Sequence, residues 1–233
     1  MLERIEVACR RAGRDPSEVE LLAVTKHVSP RVAAGLVRLG QRSLAENRAT
    51  ELERKTRALE SQGLHPDWHF IGTLQRNKVR RVLPLAGTLH SVDSLRLLDT
   101  VERVAGELGR RPRVHLQINV SAEDEKHGFE PEAAAEAVEA ARACAHVELT
   151  GLMGMAPRMA DASDEERRAG ALASFRRLAA LAAELPGDAF AGGAPRLSMG
   201  MSGDLEEAVL AGSHVVRVGS ALFEGVDDAE ATA

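Results

Sequence analysis

Eight short apolar, β-rich segments recur along the chain between amphipathic stretches, and this alternation limits the fold more than any other feature. The segments are "VELLAVTK" (19 to 26), "QRSLAEN" (41 to 47), "DWHFIG" (67 to 72), "TLHSVD" (88 to 93), "RVHLQINV" (113 to 120), "ELTGLMGM" (148 to 155), "RLSMG" (196 to 200) and "HVVRVG" (214 to 219). The clearest helical pattern is "ALASFRRLAALAAEL", which places Leu172, Phe175, Leu178, Leu181, Ala182 and Leu185 on one face with Arg176 and Arg177 opposite. Strand and helix in alternation predict a mostly parallel sheet, and eight such units in 233 residues predict a closed (β/α)8 TIM barrel. An open doubly wound sheet is the alternative, but no G-x-G-x-x-G follows the first strand, so a dinucleotide site has no support.

An extra N-terminal helix over about residues 2–13 is expected to plug one end of the barrel. No long Pro/Gly/Ser linker divides the chain, so residues 1–233 read as a single domain. The stretch "PRMADASDEERR" (157 to 168) reads as a long exposed loop, and "GDAFAGGAP" (187 to 195) as a flexible turn.

Charge and cysteine content narrow the partners. A formal charge of −5 without long basic or acidic blocks argues against a nucleic-acid groove or a membrane-surface helix, and favours a small soluble ligand. Cys9 and Cys144 lie far apart and neither belongs to a CxxC, which disfavours a disulfide framework or structural zinc and fits a reducing cytoplasm. The start, "MLERIEVACRRAG", lacks the apolar core of a signal peptide, and no stretch approaches the ~20 apolar residues of a membrane span.

Lysine is scarce. Only Lys26, Lys55, Lys78 and Lys126 stand against 26 arginines, so the basic surface is made almost wholly of Arg and a retained lysine is informative. Lysine loses its proton readily when desolvated and then acts as an amine nucleophile, which arginine cannot do. Lys55 is explained by Glu51, four residues earlier on a helical stretch. Lys26 ends the first strand, and barrels of this kind carry their chemistry at the C-terminal ends of the strands. A solvated strand-end charge is the competing reading.

The loops after strands seven and eight are where such barrels often bind phosphate. The first, "LSMGMSGD", offers Ser198 to Gly200, Ser202 and Gly203; the second, "RVGSALF", offers Gly219 and Ser220 ahead of a short helix. Asp204, Glu206 and Glu207 crowd the helix after the first loop, with Asp204 placed to cap it, so the amides of Gly219 and Ser220 are expected to give the stronger clamp. As plain turn formers, the same Gly and Ser residues would need no ligand. Arg217, two residues before that clamp, otherwise reads as an internal ion pair or a strand-end charge.

A strand-one lysine with two phosphate loops suggests an aldehyde cofactor carrying a phosphate, which is pyridoxal 5′-phosphate. "LLAVTKHVSP", "AENRATEL", "WHFIGTLQRNKV", "LHSVDSL", "QINVSAEDEKHGF", "GLMGMAP", "LSMGMSGDLEEAV" and "VRVGSALFEG" together resemble, in order, the pyridoxal phosphate homeostasis protein family, whose fold is similar to the barrel domain of alanine racemase. The resemblance covers nearly the whole chain. It implies that Lys26 joins the cofactor as a Schiff base, that Ser198, Gly219 and Ser220 hold its phosphate, and that Arg217 faces its pyridine nitrogen; the loop reading adds the backbone of Ser198 to Gly200 on one side of the phosphate. Asn47 and Met199 are weaker candidates for lining the cofactor. His69 and Asn77 are either cofactor contacts or, at least as readily, a packed strand histidine and a loop-fixing amide; Lys126 and His127 either close over the site or order a loop. Ala45, Thr73 and Gly154 depart from the family pattern of Gly, His and Thr at the mouth and rim, and none touches the lysine or the phosphate loops.

An arginine opposite the pyridine nitrogen cannot give up its proton, so the ring is a poor electron sink. The racemases that this barrel resembles take a second base, a tyrosine, from an additional domain; this chain has no tyrosine. The favoured reading is a carrier in pyridoxal phosphate and vitamin B6 homeostasis that supplies PLP-dependent apoenzymes, without catalytic turnover of its own. A fold-type III racemase or decarboxylase of amino acids is the alternative, and a Schiff-base aldolase on a phosphosugar a third.

Overall fold

The computed structural model describes residues 1–121 and 127–226. Eight parallel strands close into a barrel in sequence order: β1 (Glu20–Val24), β2 (Ser43–Glu46), β3 (Asp67–Phe70), β4 (Thr88–Val92), β5 (Arg113–Gln117), β6 (Glu148–Met153), β7 (Arg196–Ser198) and β8 (Val215–Val218). The last strand returns to the first with Leu22 opposite Arg217 and Ala23 opposite Val218. Each strand lies inside one of the eight segments read from the sequence.

The helices are α1 (Leu2–Ala12), α2 (Pro30–Arg38), α3 (Ala49–Glu60), α4 (Val79–Val82), α5 (Leu95–Leu108), α6 (Ala134–Arg142), α7 (Asp164–Glu184) and α8 (Leu205–Leu210). Local signals start and stop several of them. Ser29 caps α2 with Pro30 at its first position, and Ser94 caps α5, which ends on the left-handed Gly109. A capping box between Ser163 and Glu166 starts α7 at Asp164, so the stretch read as a loop to residue 168 becomes helix at 164.

Most of the apolar core lies between the sheet and the helices, where Leu44, Leu52, Leu89, Leu116, Leu152, Phe175 and Leu178 are buried. The N-terminal helix does not plug an end. Ile5, Ala8 and Cys9 of α1 pack with Leu205 and Val209 of α8 over Val216 and Val218, the outward residues of β8. An amphipathic helix buries its stripe where an apolar strand face is open, and β8 offers one.

The barrel interior is split in character. Leu22, Val24, Ala45 and Val215 fill the side formed by β8, β1 and β2. On the opposite side the buried histidines His69, His90 and His115 come from the consecutive strands β3, β4 and β5.

Candidate functional site

Lys26 is exposed immediately beyond β1, while Thr25 before it is fully buried. The strand end is held from beneath. Lys55 Nζ on α3 donates to the Thr25 carbonyl at 2.6 Å and to Glu46 Oε1 at 2.6 Å, and the Thr25 hydroxyl donates to the same carboxylate oxygen at 2.6 Å. Lys55 therefore pairs with Glu46, wholly out of solvent, and Arg54 rather than Lys55 takes Glu51. The helical i,i+4 spacing misassigned this lysine because α3 turns it inward.

Asn47 follows Glu46 at the rim, half-buried. Its backbone is the neighbour that requires glycine at 72, because a Cβ there would lie 2.2 Å from the Asn47 carbonyl oxygen. Asn77 is exposed in a short helical turn at Arg76–Lys78.

The junction of β8 with β1 brings Gly219 against Val24. A Cβ at Gly219 would stand 3.3 Å from the Val24 carbonyl oxygen, so the turn that follows lies beside the strand end leading to Lys26. Ser220 is exposed and opens the short 3₁₀ helix Ser220–Leu222, in keeping with the short helix expected there. The Ala221 amide donates to Ser202 Oγ at 3.5 Å, which brings the loop after β7 onto this turn.

Two residues expected at the cofactor, Ser198 at the end of β7 and Met199 just beyond it, are both buried. Ser198 is wholly buried inside the barrel, where its hydroxyl meets Arg217 Nη1 at 2.8 Å and His90 Nδ1 at 2.8 Å. Met199 points the other way, into the core between sheet and helices. Successive strand residues face opposite sides, so Ser198 inward puts Met199 outward. Ser202, four residues on, is the hydroxyl of this loop beside Gly219 and Ser220. Gly200 is buried with φ +95°, and a Cβ there would meet Ala208 at 2.5 Å, so its place in the loop is a requirement of the turn.

Asp204 also differs from expectation. Its side chain makes no cap to α8 and instead accepts from the Met201 amide at 2.5 Å. Burial raises its pKa, against the opposing effects of that amide and of Arg217. Glu206 is engaged by Arg4 at 2.8 Å and Glu207 by Arg168 at 3.0 Å.

Arg217 points into the barrel, 5% exposed, and its Nη2 donates to the Gly154 carbonyl at 3.1 Å. Burial lowers its pKa to about 10, with Asp204 opposing, and it remains a cation at neutral pH. Behind Ser198 the chain of contacts continues. His90 Nε2 meets His69 Nδ1 at 2.9 Å, and the His90 ring stacks on His115 at 4.5 Å between centroids. Burial pulls the pKa of His69 down to about 4 and of His115 to about 3, and that of His90 well below its usual value.

His69 is thus a packed strand histidine, lining a cavity of about 230 Å³ at the N-terminal end of the barrel with Glu20, Thr88 and Arg113. His90 and His115 were missed by the sequence reading. Their signal was a histidine inside each of three successive strand segments, at positions that alternation turns inward. His127 is exposed, lies 3.7 Å from Asp93 and accepts from Gln117 through its carbonyl; Lys126 lies outside the described residues.

An amine and a phosphate-bearing aldehyde ligand are compatible with this donor set. The rim offers one exposed lysine, the hydroxyls of Ser202 and Ser220, and a glycine turn packed on the lysine's strand, and below it lies the Arg217 cation, on which the Met201-bound Asp204 acts electrostatically. These groups fit pyridoxal 5′-phosphate.

Residues 2–226 match the alanine racemase N-terminal domain family. A pyridoxal phosphate homeostasis protein of Aquifex aeolicus is 36% identical over 96% of this chain and 94% of its own length. The solved structure of PipY from Synechococcus elongatus with PLP bound is 32% identical, with a TM-score of 0.76 over 95% of this chain and 99% of that one. An alanine racemase of Clostridium difficile shares the fold at 18% identity and a TM-score of 0.69, and this chain spans 56% of it.

Proposed function

This chain belongs to the pyridoxal phosphate homeostasis protein family, and from that membership we propose that it is a carrier of pyridoxal 5′-phosphate, held reversibly through Lys26. The observation that carries the reading is the junction of β1 and β8. Exposed Lys26 ends one strand, the Gly219–Ser220 turn ends the other against Val24, and the cation of Arg217 lies two residues back inside the barrel.

When bound, the cofactor supplies an aldehyde that condenses reversibly with an amine and a ring that can spread negative charge. Lys26 is the amine, accessible to solvent and fixed in place by the buried Lys55–Glu46–Thr25 contacts. We assign the phosphate to Gly219, Ser220 and Ser202, with Ser202 in place of Ser198. Arg217 is assigned to the pyridine nitrogen, where a guanidinium that keeps its proton leaves that nitrogen unprotonated and the ring a weak electron sink. Asn47 lines the same rim.

Four features of the remaining residues support holding without turnover. The chain has no tyrosine, burial raises the Cys144 thiol to about 11 and also raises that of Cys9, and the three barrel histidines are neutral and enclosed. Among these groups none is a base at the rim opposite Lys26. The carrier keeps the free aldehyde low and supplies apoenzymes in the cytoplasm. No helix among the described residues is long and apolar enough to cross a membrane.

Titration of the purified chain with pyridoxal 5′-phosphate, followed by borohydride reduction and peptide mapping, tests the assignment. The expected result is a yellow complex, a single reduced adduct on Lys26, and its loss in Lys26→Ala with the fold intact. An adduct on another lysine overturns the site, and sustained turnover of any L-amino acid overturns the carrier reading in favour of a racemase or decarboxylase.

A further inference from the structure

The barrel interior holds a continuous run of polar contacts that the carrier reading does not use. It passes from Arg217 through Ser198 and His90 to His69, which lines the cavity at the opposite end of the barrel from Lys26. Counting donors gives this run a direction. A guanidinium only donates, so Ser198 Oγ accepts from Arg217. The Ser198 hydroxyl then has one proton, and the partner that the structure provides for it is His90 Nδ1 at 2.8 Å. A buried hydroxyl proton seeks an acceptor, so His90 accepts there and carries its own proton on Nε2. That proton points at His69 Nδ1, 2.9 Å away, which must accept, leaving the His69 proton on Nε2 beside the cavity.

Every link therefore turns its negative end toward Arg217. Along this run the charge meets aligned neutral dipoles, with Asp204 acting on it from outside the run, and aligned hydrogen bonds in a low-dielectric interior strengthen one another. The lowered pKa values of all three histidines agree with neutral rings. A carboxylate in the place of Ser198 would cancel the guanidinium's field. The hydroxyl orients Nη1 while the field remains directed at whatever lies beyond the arginine.

We propose that Ser198, His90 and His69 are positioning residues: a one-way relay of neutral donors that orients Arg217 and keeps it a full cation toward the bound ring nitrogen. The part concerning the ring nitrogen rests on the assignment of the cofactor to this site; the direction of the relay does not.

Two measurements separate these parts. In the cofactor-free protein at neutral pH, long-range ¹H–¹⁵N NMR of the imidazoles should show His69 and His90 both as Nε2–H tautomers. An Nδ1–H tautomer or an imidazolium at His90 overturns the relay. In the second, pyridoxal 5′-phosphate labelled with ¹⁵N in its ring is bound to the unaltered chain, to Ser198→Ala and to Ser198→Thr. The ring-nitrogen signal should move in Ser198→Ala and return in Ser198→Thr, while reduction still places the adduct on Lys26 in all three. An unmoved signal in Ser198→Ala overturns the role at the ring. Failure of the unaltered chain to bind the cofactor at all sinks the carrier assignment and the ring role together, and the tautomers alone then decide the relay.

Discussion

Lys55 and Glu46 form an ion pair at 2.6 Å with both side chains fully enclosed, directly beneath the strand end that presents Lys26. Glu46 Oε2 has no hydrogen-bond partner among the described residues, so the carboxylate depends on Lys55 and Thr25 through its other oxygen. Such a pair gains little over an apolar substitute of the same shape, but breaking one side of it is costly. Its value at this place is geometric, since Lys55 also ties down the Thr25 carbonyl, one residue before Lys26.

Lys55→Met should therefore destabilise the chain by about 3–5 kcal/mol, because it strands a buried carboxylate. Adding Glu46→Gln removes that charge and should recover part of the loss. Urea unfolding of the single and double variants measures both. Equal stability of Lys55→Met and the unaltered chain would contradict the buried pairing.

The phosphate assignment distinguishes two serines. Ser202→Ala should weaken pyridoxal 5′-phosphate binding by about tenfold, roughly one charge-assisted hydrogen bond, and leave pyridoxal binding nearly unchanged. Ser198→Ala, acting through Arg217, should weaken both ligands alike. Fluorescence titration with the two aldehydes reads the difference, and a loss confined to the phosphorylated ligand in Ser198→Ala would return the phosphate to Ser198.

Acid should weaken the fold above the range where carboxylates protonate. His69 and His115 have native pKa values of about 4 and about 3, below the ordinary 6.5, because burial excludes the charged ring. The unfolded chain then binds more protons than the native one as pH falls below 6.5. Stability is complete above that pH and declines by about 1.4 kcal/mol per pH unit for each such histidine, down to its native pKa. Urea midpoints taken from pH 7.5 to 5 should fall accordingly, and a flat profile over that range would mean that the rings are not held neutral.

Glycine positions give a packing test. Gly72→Ala forces a Cβ to 2.2 Å from the Asn47 carbonyl oxygen and should cost about 1–3 kcal/mol by overpacking while shifting the rim at Asn47. Gly203→Ala meets nothing within 4 Å and should change stability by less than about 0.5 kcal/mol. Thermal melts of the pair, with cofactor titration of each, check both statements.

The barrel was legible because its signals are local. Each strand is an apolar run of a few residues and each helix carries its own stripe and caps, so all eight strands and the position of Lys26 at the end of the first follow from short windows of sequence. Local reasoning failed where one residue decided direction. Ser198 ends a three-residue strand and Met199 follows it, too short a run for alternation to show which side chain faces inward. The start of α7 was missed because the polar run "ASDEERR" resembles a loop until Ser163 and Glu166 are recognised as a cap.

By itself, then, the sequence determined the alternation of elements, the closed parallel barrel, the lysine at the end of its first strand and the family, since these depend on periodicity and on motifs read in order. Only the tertiary structure decided that Lys55 pairs with Glu46, that α1 covers β8, and that Ser198 joins Arg217 to a buried column of histidines. Those relations join residues from 9 to more than 200 positions apart, and closure of the sheet with one fixed inward face for each strand is what brings them within hydrogen-bond reach.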